Sequence, residues 1–284
     1  MADFLLGFLR LVRWPNLLIL AFTQYLTRLF LIGPSENWRE LLRELPLFLI
    51  VLSTVLIAAA GYIINDYFDV KIDLINKPKR VIIGRYLKRR VAMGAHQTLN
   101  VLGCLAALLV SKWVFLLSVC SVTLLWFYSS YFKRKPFIGN FIVAFLSALS
   151  LVLLAVHYRQ NTDLVLLYAL FAFGISLVRE IIKDMEDLRG DASHGCRTLP
   201  IVWGIRPTKL FVYLLVALFI AALFLSAHAM QNLYLAWVFA VLLLPIAWLV
   251  YRLVYADTRH EFAALSGLCK WIMLGGILSM AFRV

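Results

Sequence analysis

Apolar residues run unbroken for about twenty positions at a time along almost the whole chain, separated by short polar breaks. Windows of about 19 residues place spans near 16–33, 45–65, 92–110, 113–132, 137–157, 163–182, 208–228, 232–251 and 262–282. The runs are continuous rather than alternating, which excludes the strands of a membrane barrel. Lipid tolerates only a backbone whose hydrogen bonds close within the segment, so the spans are helices. The long connections are roughly 66–91 and 183–207, and connections of that length usually carry function. The expectation is an all-α integral membrane protein, residues 1–284 forming a single domain of nine helices around a central, largely apolar cavity.

Composition agrees. Of 284 residues, 63% are hydrophobic and 15% charged, with a mean hydropathy of +0.88. Soluble domains hold about 45–50% apolar and about 25% charged residues, so soluble, disordered and disulfide-scaffold classes are excluded. The net charge of +13 resembles that of a nucleic-acid binder. Alternating the nine spans, however, puts 21 of the 28 Lys and Arg residues on one side, with no recognised nucleic-acid motif. The rule that inner loops collect basic residues then predicts a multi-pass protein of the cytoplasmic membrane, with the N-terminus and both long connections in the cytoplasm. Lys270 falls mid-span, where it either snorkels or faces an anion in a cavity. Cys104, Cys120, Cys196 and Cys269 lack ligand spacing and read as reduced packing residues. The basic, Pro-interrupted stretch Arg10–Pro15 leads directly into a full-length apolar run, which is not the form of a cleaved leader.

Eight of the 15 acidic residues lie in two short segments at the predicted cytoplasmic ends of spans two and six. Asp66, Asp69 and Asp73 repeat the D-x-x-D-x-x-x-D spacing of Asp184, Asp187 and Asp191. Steps of three and four put each set on one helical face. Like charges stacked there repel, increasingly so as water is withdrawn, so a positive partner is required. Oxygen ligands without His or Cys favour Mg²⁺ over zinc or copper, and Mg²⁺ commonly completes its shell with water and substrate phosphate. Two such sets among Lys and Arg read as a site for a diphosphate bridged by Mg²⁺. Solvated helix ends paired with neighbouring bases are the plainer alternative.

The segment Asn65-Asp66-Tyr-Phe-Asp69-Val-Lys-Ile-Asp73 resembles the first Asp-rich signature of the UbiA superfamily of intramembrane prenyltransferases. Lys183 with Asp184, Asp187 and Asp191 resembles the second. Pro15-Asn16, Tyr128-Ser129 followed by Lys133-Arg134, and Gly139-Asn140 add weaker similarity, and together the features extend over essentially the whole chain.

The resemblance implies transfer of a polyprenyl group from its diphosphate to an acceptor inside the membrane. It implies that Asp66, Asp69, Asp73, Asp184, Asp187 and Asp191 hold two Mg²⁺ ions on the diphosphate, with Asn65 in the same shell. Lys77, Arg80, Arg85, Lys183 and Arg197 are the candidate cations for the diphosphate, with positive-inside loop residues as the alternative. Tyr128 and Lys133 either reach the diphosphate or steady the allylic cation; the alternative is an interfacial aromatic and a snorkelling base. Asn16, His96, Asn100 and Asn140 are candidates for an acceptor pocket, with interhelical hydrogen bonding as the alternative. Trp126, Phe127, Phe171 and Phe173 offer π faces to a cation or simply pack. The wording of the motifs, with Asn76-Lys77-Pro78 and Arg179-Glu180-Ile-Ile-Lys183, is most similar to the branch that adds a geranylgeranyl group to a glycerol phosphate ether lipid. The alternatives are an aromatic prenyltransferase of quinone biosynthesis and a terpene cyclase of the same fold. A divalent-cation transporter would instead want its carboxylates near the bilayer midplane.

Overall fold

The computed structural model describes residues 2–33, 38–76, 78, 81–231 and 233–282. Among these, nine helices are long and apolar enough to cross a membrane, at the positions the hydropathy windows predict. The order is α1 (Ala2–Leu11), α2 (Trp14–Leu26), α3 (Trp38–Leu42), α4 (Leu45–Asn76), α5 (Arg89–Val110), α6 (Lys112–Ser130), α7 (Ile138–Tyr158), α8 (Thr162–Ser193), α9 (Leu199–Val202), α10 (Ile205–Ala229), α11 (Leu233–Tyr255) and α12 (Arg259–Ser279). A π-helical stretch, Thr27–Ile32, continues α2. The short amphipathic α1 is outside the nine-span pattern. All four cysteines are free.

The main departure from expectation concerns the two long connections. Helices α4 and α8 each have 32 residues, about 48 Å at 1.5 Å per residue. A hydrocarbon core of about 30 Å needs only about 20 of them. The remainder projects as helix, and both Asp sets ride on these projections rather than in loops. The connections predicted as 66–91 and 183–207 therefore begin later. α4 stops at Asn76, two residues before Pro78, which disfavours helical geometry in the residue preceding it. α8 stops at Ser193, with Gly195 at φ +69 and the Cys196 amide returning 3.0 Å to the Asp191 carbonyl, a glycine-terminated helix end.

The chain divides into two compact units, residues 1–133 with 153–160, and residues 134–152 with 161–284. In the first unit, α4 packs on α2, α5 and α6. Close approach of α4 and α5 depends on Gly103, where a Cβ would stand 2.8 Å from Ile57 Cγ1 and 3.2 Å from the Ser53 carbonyl. A cluster of Leu11, Val12, Ala59, Ile63, Ile83, Leu87 and Ala92 fastens α1 and the 81–88 turn to α4 and α5. This anchors the chain on either side of the first Asp set.

In the second unit, α8 packs on α10 and α12, and α11 on α10 and α12. Two glycines admit aromatic rings. A Cβ at Gly174 would meet Phe219 at 2.2 Å, and one at Gly276 would meet Phe171 at 2.1 Å. A capping box, Thr258 with Glu261, starts α12 at Arg259, three residues before the predicted boundary. Lys209 is buried and holds Asp257 at 3.0 Å, tying α10 to the same turn.

Candidate active site

In the first unit, the projecting end of α4 carries Asn65, Asp66, Asp69 and Asp73. Their spacing turns the carboxylates towards one side of the helix, and a cation from a distant segment meets two of them. Arg13 Nη2 lies 2.8 Å from Asp66 Oδ1. Arg13 links α1 to α2 in the left-handed region (φ +54, ψ +51), a conformation uncommon for a residue with a side chain. Its guanidinium also lies over the Tyr62 ring at 4.7 Å. Burial alone would lower its pKa, but the Asp66 carboxylate together with Tyr62 and Tyr128 more than offsets this and holds it above the ordinary arginine value. Lys133, in the short turn Phe132–Arg134 after α6, pairs with Asp69 Oδ2 and lies 3.3 Å from Asn65 Oδ1. Asn65 Nδ2 is at 3.5 Å from Asp66 Oδ1.

The other sequence candidates in this unit divide into two groups. Tyr128 lies within electrostatic range of Arg13, and Asn16 Nδ2 donates to the Tyr62 hydroxyl at 3.3 Å, so both join the surroundings of Asp66. His96 and Asn100 are engaged within the helix packing. His96 Nδ1 meets the Ala60 carbonyl at 3.0 Å, and Asn100 Nδ2 lies 3.2 Å from His96 Nε2. The first contact requires a proton on Nδ1, which leaves Nε2 to accept from Asn100. With both ring nitrogens occupied and the residue buried, His96 joins α5 to α4. Arg85 is exposed and lies over Tyr86 at 5.3 Å. Lys77 and Arg80 lie outside the described residues. Arg89 donates to the Tyr67 carbonyl at 3.2 Å and stacks on the Tyr67 ring.

In the second unit, the projecting end of α8 carries Asp184, Asp187 and Asp191. Asn140, near the start of α7, donates from Nδ2 to Asp184 Oδ2 at 2.8 Å and is buried. Asp191 is also buried. Lys183 points back along the helix to Glu180 Oε2 at 3.7 Å, and Arg179 Nη1 pairs with Glu180 Oε1. Arg197 is exposed, with its backbone amide bonded to the Arg134 carbonyl at 2.9 Å. Lys270 lies on the exposed face of α12. Phe171 lies against Phe219, and Phe173 against Phe141.

Sequence reasoning missed Arg13, Arg179 and Glu180 as site residues. Glu180 was within reach of it, because it stands four residues before Asp184 and extends the same face by one turn. Arg13 gave less signal: it flanks the Pro15-Asn16 pair, but its partner is 53 positions away.

The donor chemistry of the first set suits a hard divalent cation. Asn65, Asp66 and Asp69 offer only oxygen to the cations beside them, and a lysine ammonium and an arginine already lie against those oxygens. Among the described residues, no three His, Cys, Asp or Glu side chains converge closely enough to enclose one ion. Any metal here would take one or two carboxylates and fill its shell with water and phosphate oxygens, which is the usual manner of Mg²⁺.

Each unit thus carries one Asp-rich helix end attended by Lys, Arg or Asn. The UbiA prenyltransferase family profile matches residues 25–274, so the chain belongs to that family. A protein of Thermococcus sibiricus named digeranylgeranylglyceryl phosphate synthase is 38% identical over 176 residues, covering 62% of this chain and 63% of that one. The chain thus spans a little under two thirds of that relative. A structure described for digeranylgeranylglyceryl phosphate synthase in membranes aligns with a TM-score of 0.77 at 24% identity, over 99% of this chain and 98% of that one. A UbiA homologue from Archaeoglobus fulgidus, bound to GPP and Mg²⁺, aligns with a TM-score of 0.70 at 14% identity, over 97% and 99%.

Proposed function

We propose that the protein transfers a geranylgeranyl group from its diphosphate to the hydroxyl of a glycerol phosphate ether lipid within the membrane, in a Mg²⁺-dependent reaction. The carrying observation is the set Asn65, Asp66 and Asp69 on the projecting end of α4, with Arg13 and Lys133 drawn onto its oxygens. The name of the 38%-identical relative supports the glycerol phosphate acceptor, and the GPP and Mg²⁺ bound to the Archaeoglobus fulgidus homologue support the donor and the ion.

One or two carboxylates of the set Asp66, Asp69 and Asp73 would hold one Mg²⁺, and one or two of the set Asp184, Asp187 and Asp191 a second, with water and phosphate oxygens completing each shell. Bound Mg²⁺ supplies charge neutralisation on the diphosphate as its allylic C–O bond weakens. The chain's own groups do the rest. Lys133 and Arg13 orient the diphosphate and counter the charge that grows on it. Asn65 and Asn140 fix the carboxylates of Asp69 and Asp184 by hydrogen bonding, directly or through Lys133. Phe68, which precedes Asp69 in the chain, packs edge to face on Trp126 at 6.0 Å, and the pair would offer aromatic surface to a developing cation. The apolar spans keep water from that cation. The site faces the cytoplasm, on the side that collects the basic residues.

The test is an acceptor screen on purified protein in detergent with geranylgeranyl diphosphate and Mg²⁺. It compares geranylgeranylglyceryl phosphate, 4-hydroxybenzoate and 1,4-dihydroxy-2-naphthoate by product mass. A product from the glycerol phosphate lipid alone is expected. Transfer to an aromatic alone would move the protein to quinone synthesis, and a cyclic hydrocarbon without adduct would make it a cyclase.

A further inference from the structure

A charged cluster of α8 stands beside the second Asp set, with Asp184 in the field of both Glu180 and Lys183. Glu180 is buried and is shared by two cations of its own helix, Arg179 through Nη1 and Lys183 at 3.7 Å. The cluster carries a net charge of +1 and stands one turn before Asp184, on the membrane side of the second Asp set. Cys269 of α12 lies within the field of both Arg179 and Glu180, so the cluster sits where α8 packs on α12.

The arginine is only half used. A guanidinium donates through an end and through a side edge, where Nε–H runs parallel to one of the terminal N–H groups. Glu180 takes Nη1. Arg179 Nε–H is buried and meets no acceptor. A buried donor without a partner is costly, and a parallel pair of donors on a fixed arginine suits a phosphate held in two-pronged fashion. Glu180, by taking Nη1, leaves the Nε edge unspent, while Lys183 adds a second positive charge four residues on.

We propose that Arg179 and Lys183 bind the phosphate of the glycerol phosphate acceptor, and that Glu180 is the positioning residue that holds both cations for it. The inference rests on the reading under Proposed function and adds to it the group that selects an anionic acceptor. It also moves Lys183 from the diphosphate to the acceptor. No chemical step is assigned to the three residues.

The experiment compares wild type, Arg179→Gln, Arg179→Lys and Glu180→Gln with two acceptors, geranylgeranylglyceryl phosphate and the neutral alcohol geranylgeranylglycerol. KM and kcat are measured for each acceptor and for geranylgeranyl diphosphate. Wild type is expected to favour the phosphorylated acceptor by roughly 10- to 100-fold in kcat/KM, the scale of one or two charge-assisted hydrogen bonds. Arg179→Gln is expected to lose most of that preference by a rise in acceptor KM, with the KM for geranylgeranyl diphosphate changed less than about twofold. Arg179→Lys keeps the charge but not the fork and is expected to recover part of the preference. Glu180→Gln is expected to raise acceptor KM with kcat largely retained.

An Arg179→Gln enzyme that still discriminates between the two acceptors as wild type does would overturn the inference. So would a rise confined to the donor KM. If Arg179→Gln fails to fold, Arg179→Lys and Glu180→Gln decide in the same way. Wild type that prenylates neither lipid would instead overturn the reading on which the inference rests.

Discussion

Replacing Lys133 with Met separates a metal-binding carboxylate from a merely structural ion pair. Met keeps the length and apolar stem of the side chain and removes the charge. The Asp69 side chain is only 6% exposed, while Lys133 is 25% exposed. Removing one partner of a buried pair typically costs about 3–5 kcal/mol, because the other charge is left uncompensated. Since a quarter of the lysine reaches solvent, about 2 kcal/mol is the working figure here. With a slope of about 2–4 °C per kcal/mol for a large domain, Lys133→Met should melt roughly 4–8 °C below wild type in EDTA. A divalent cation bound by Asp69 restores the missing positive charge. At a concentration a hundred times its Kd, it returns about 2.7 kcal/mol, enough to offset the loss. The assay is thermal unfolding of the purified protein in detergent, with EDTA and with saturating Mg²⁺. Mg²⁺ should close most of the gap, raising the melting temperature of the variant more than that of wild type, where the ion must first displace the lysine. Equal responses of the two proteins to Mg²⁺, with the gap persisting, would refute the assignment of Asp69 as a metal ligand.

Other consequences are as concrete. Asp69→Asn and Asp187→Asn keep the side-chain shape and should each lower Mg²⁺-dependent diphosphate release by at least about 100-fold, while the protein stays monodisperse by size-exclusion chromatography. Gly276→Ala should destabilise the α8–α12 contact by about 1–3 kcal/mol, since a Cβ there would meet the buried Phe171 ring at 2.1 Å. Gly267→Ala, on the same helix with nothing within 4 Å of an added Cβ, is its control and should not lower the melting temperature. His96→Ala should cost about 1–2 kcal/mol through loss of the bond to the Ala60 carbonyl, and leave acceptor KM within about twofold. A large rise in acceptor KM would instead place His96 in the acceptor pocket.

The nine spans were legible because lipid imposes a length and an apolarity that no local preference can override. The projecting ends of α4 and α8 were not visible to hydropathy, which sees the apolar run broken there by charged residues. The three-and-four spacing of Asp66, Asp69 and Asp73 nevertheless required helix at that place. Span ends set by specific bonds, such as the Thr258–Glu261 box, shifted by a few residues for the same reason: a cap is a hydrogen bond, not a change in apolarity. The shared face of His96 and Asn100 was also visible, as positions four apart. Their partner was not, because it is the backbone carbonyl of Ala60, and a backbone atom leaves no mark in the sequence. Lys183 was assigned by nearness in sequence to Asp184, whereas the helix carries it back to Glu180. Pairs such as Arg13 with Asp66 and Lys133 with Asp69 join segments 53 and 64 residues apart, a matter of packing between helices.

We infer that each Asp set holds a divalent cation for a prenyl diphosphate. The most direct test is a crystal of the protein grown with Mn²⁺ in place of Mg²⁺ and a non-hydrolysable geranylgeranyl thiodiphosphate, measured for anomalous scattering at the manganese edge. The account predicts manganese peaks at Asp66, Asp69 and Asp73 and at Asp184, Asp187 and Asp191, with Lys133 withdrawn from Asp69. Manganese bound elsewhere, or bound thiodiphosphate with Lys133 and Arg13 still closed on the carboxylates and no metal between, would contradict it.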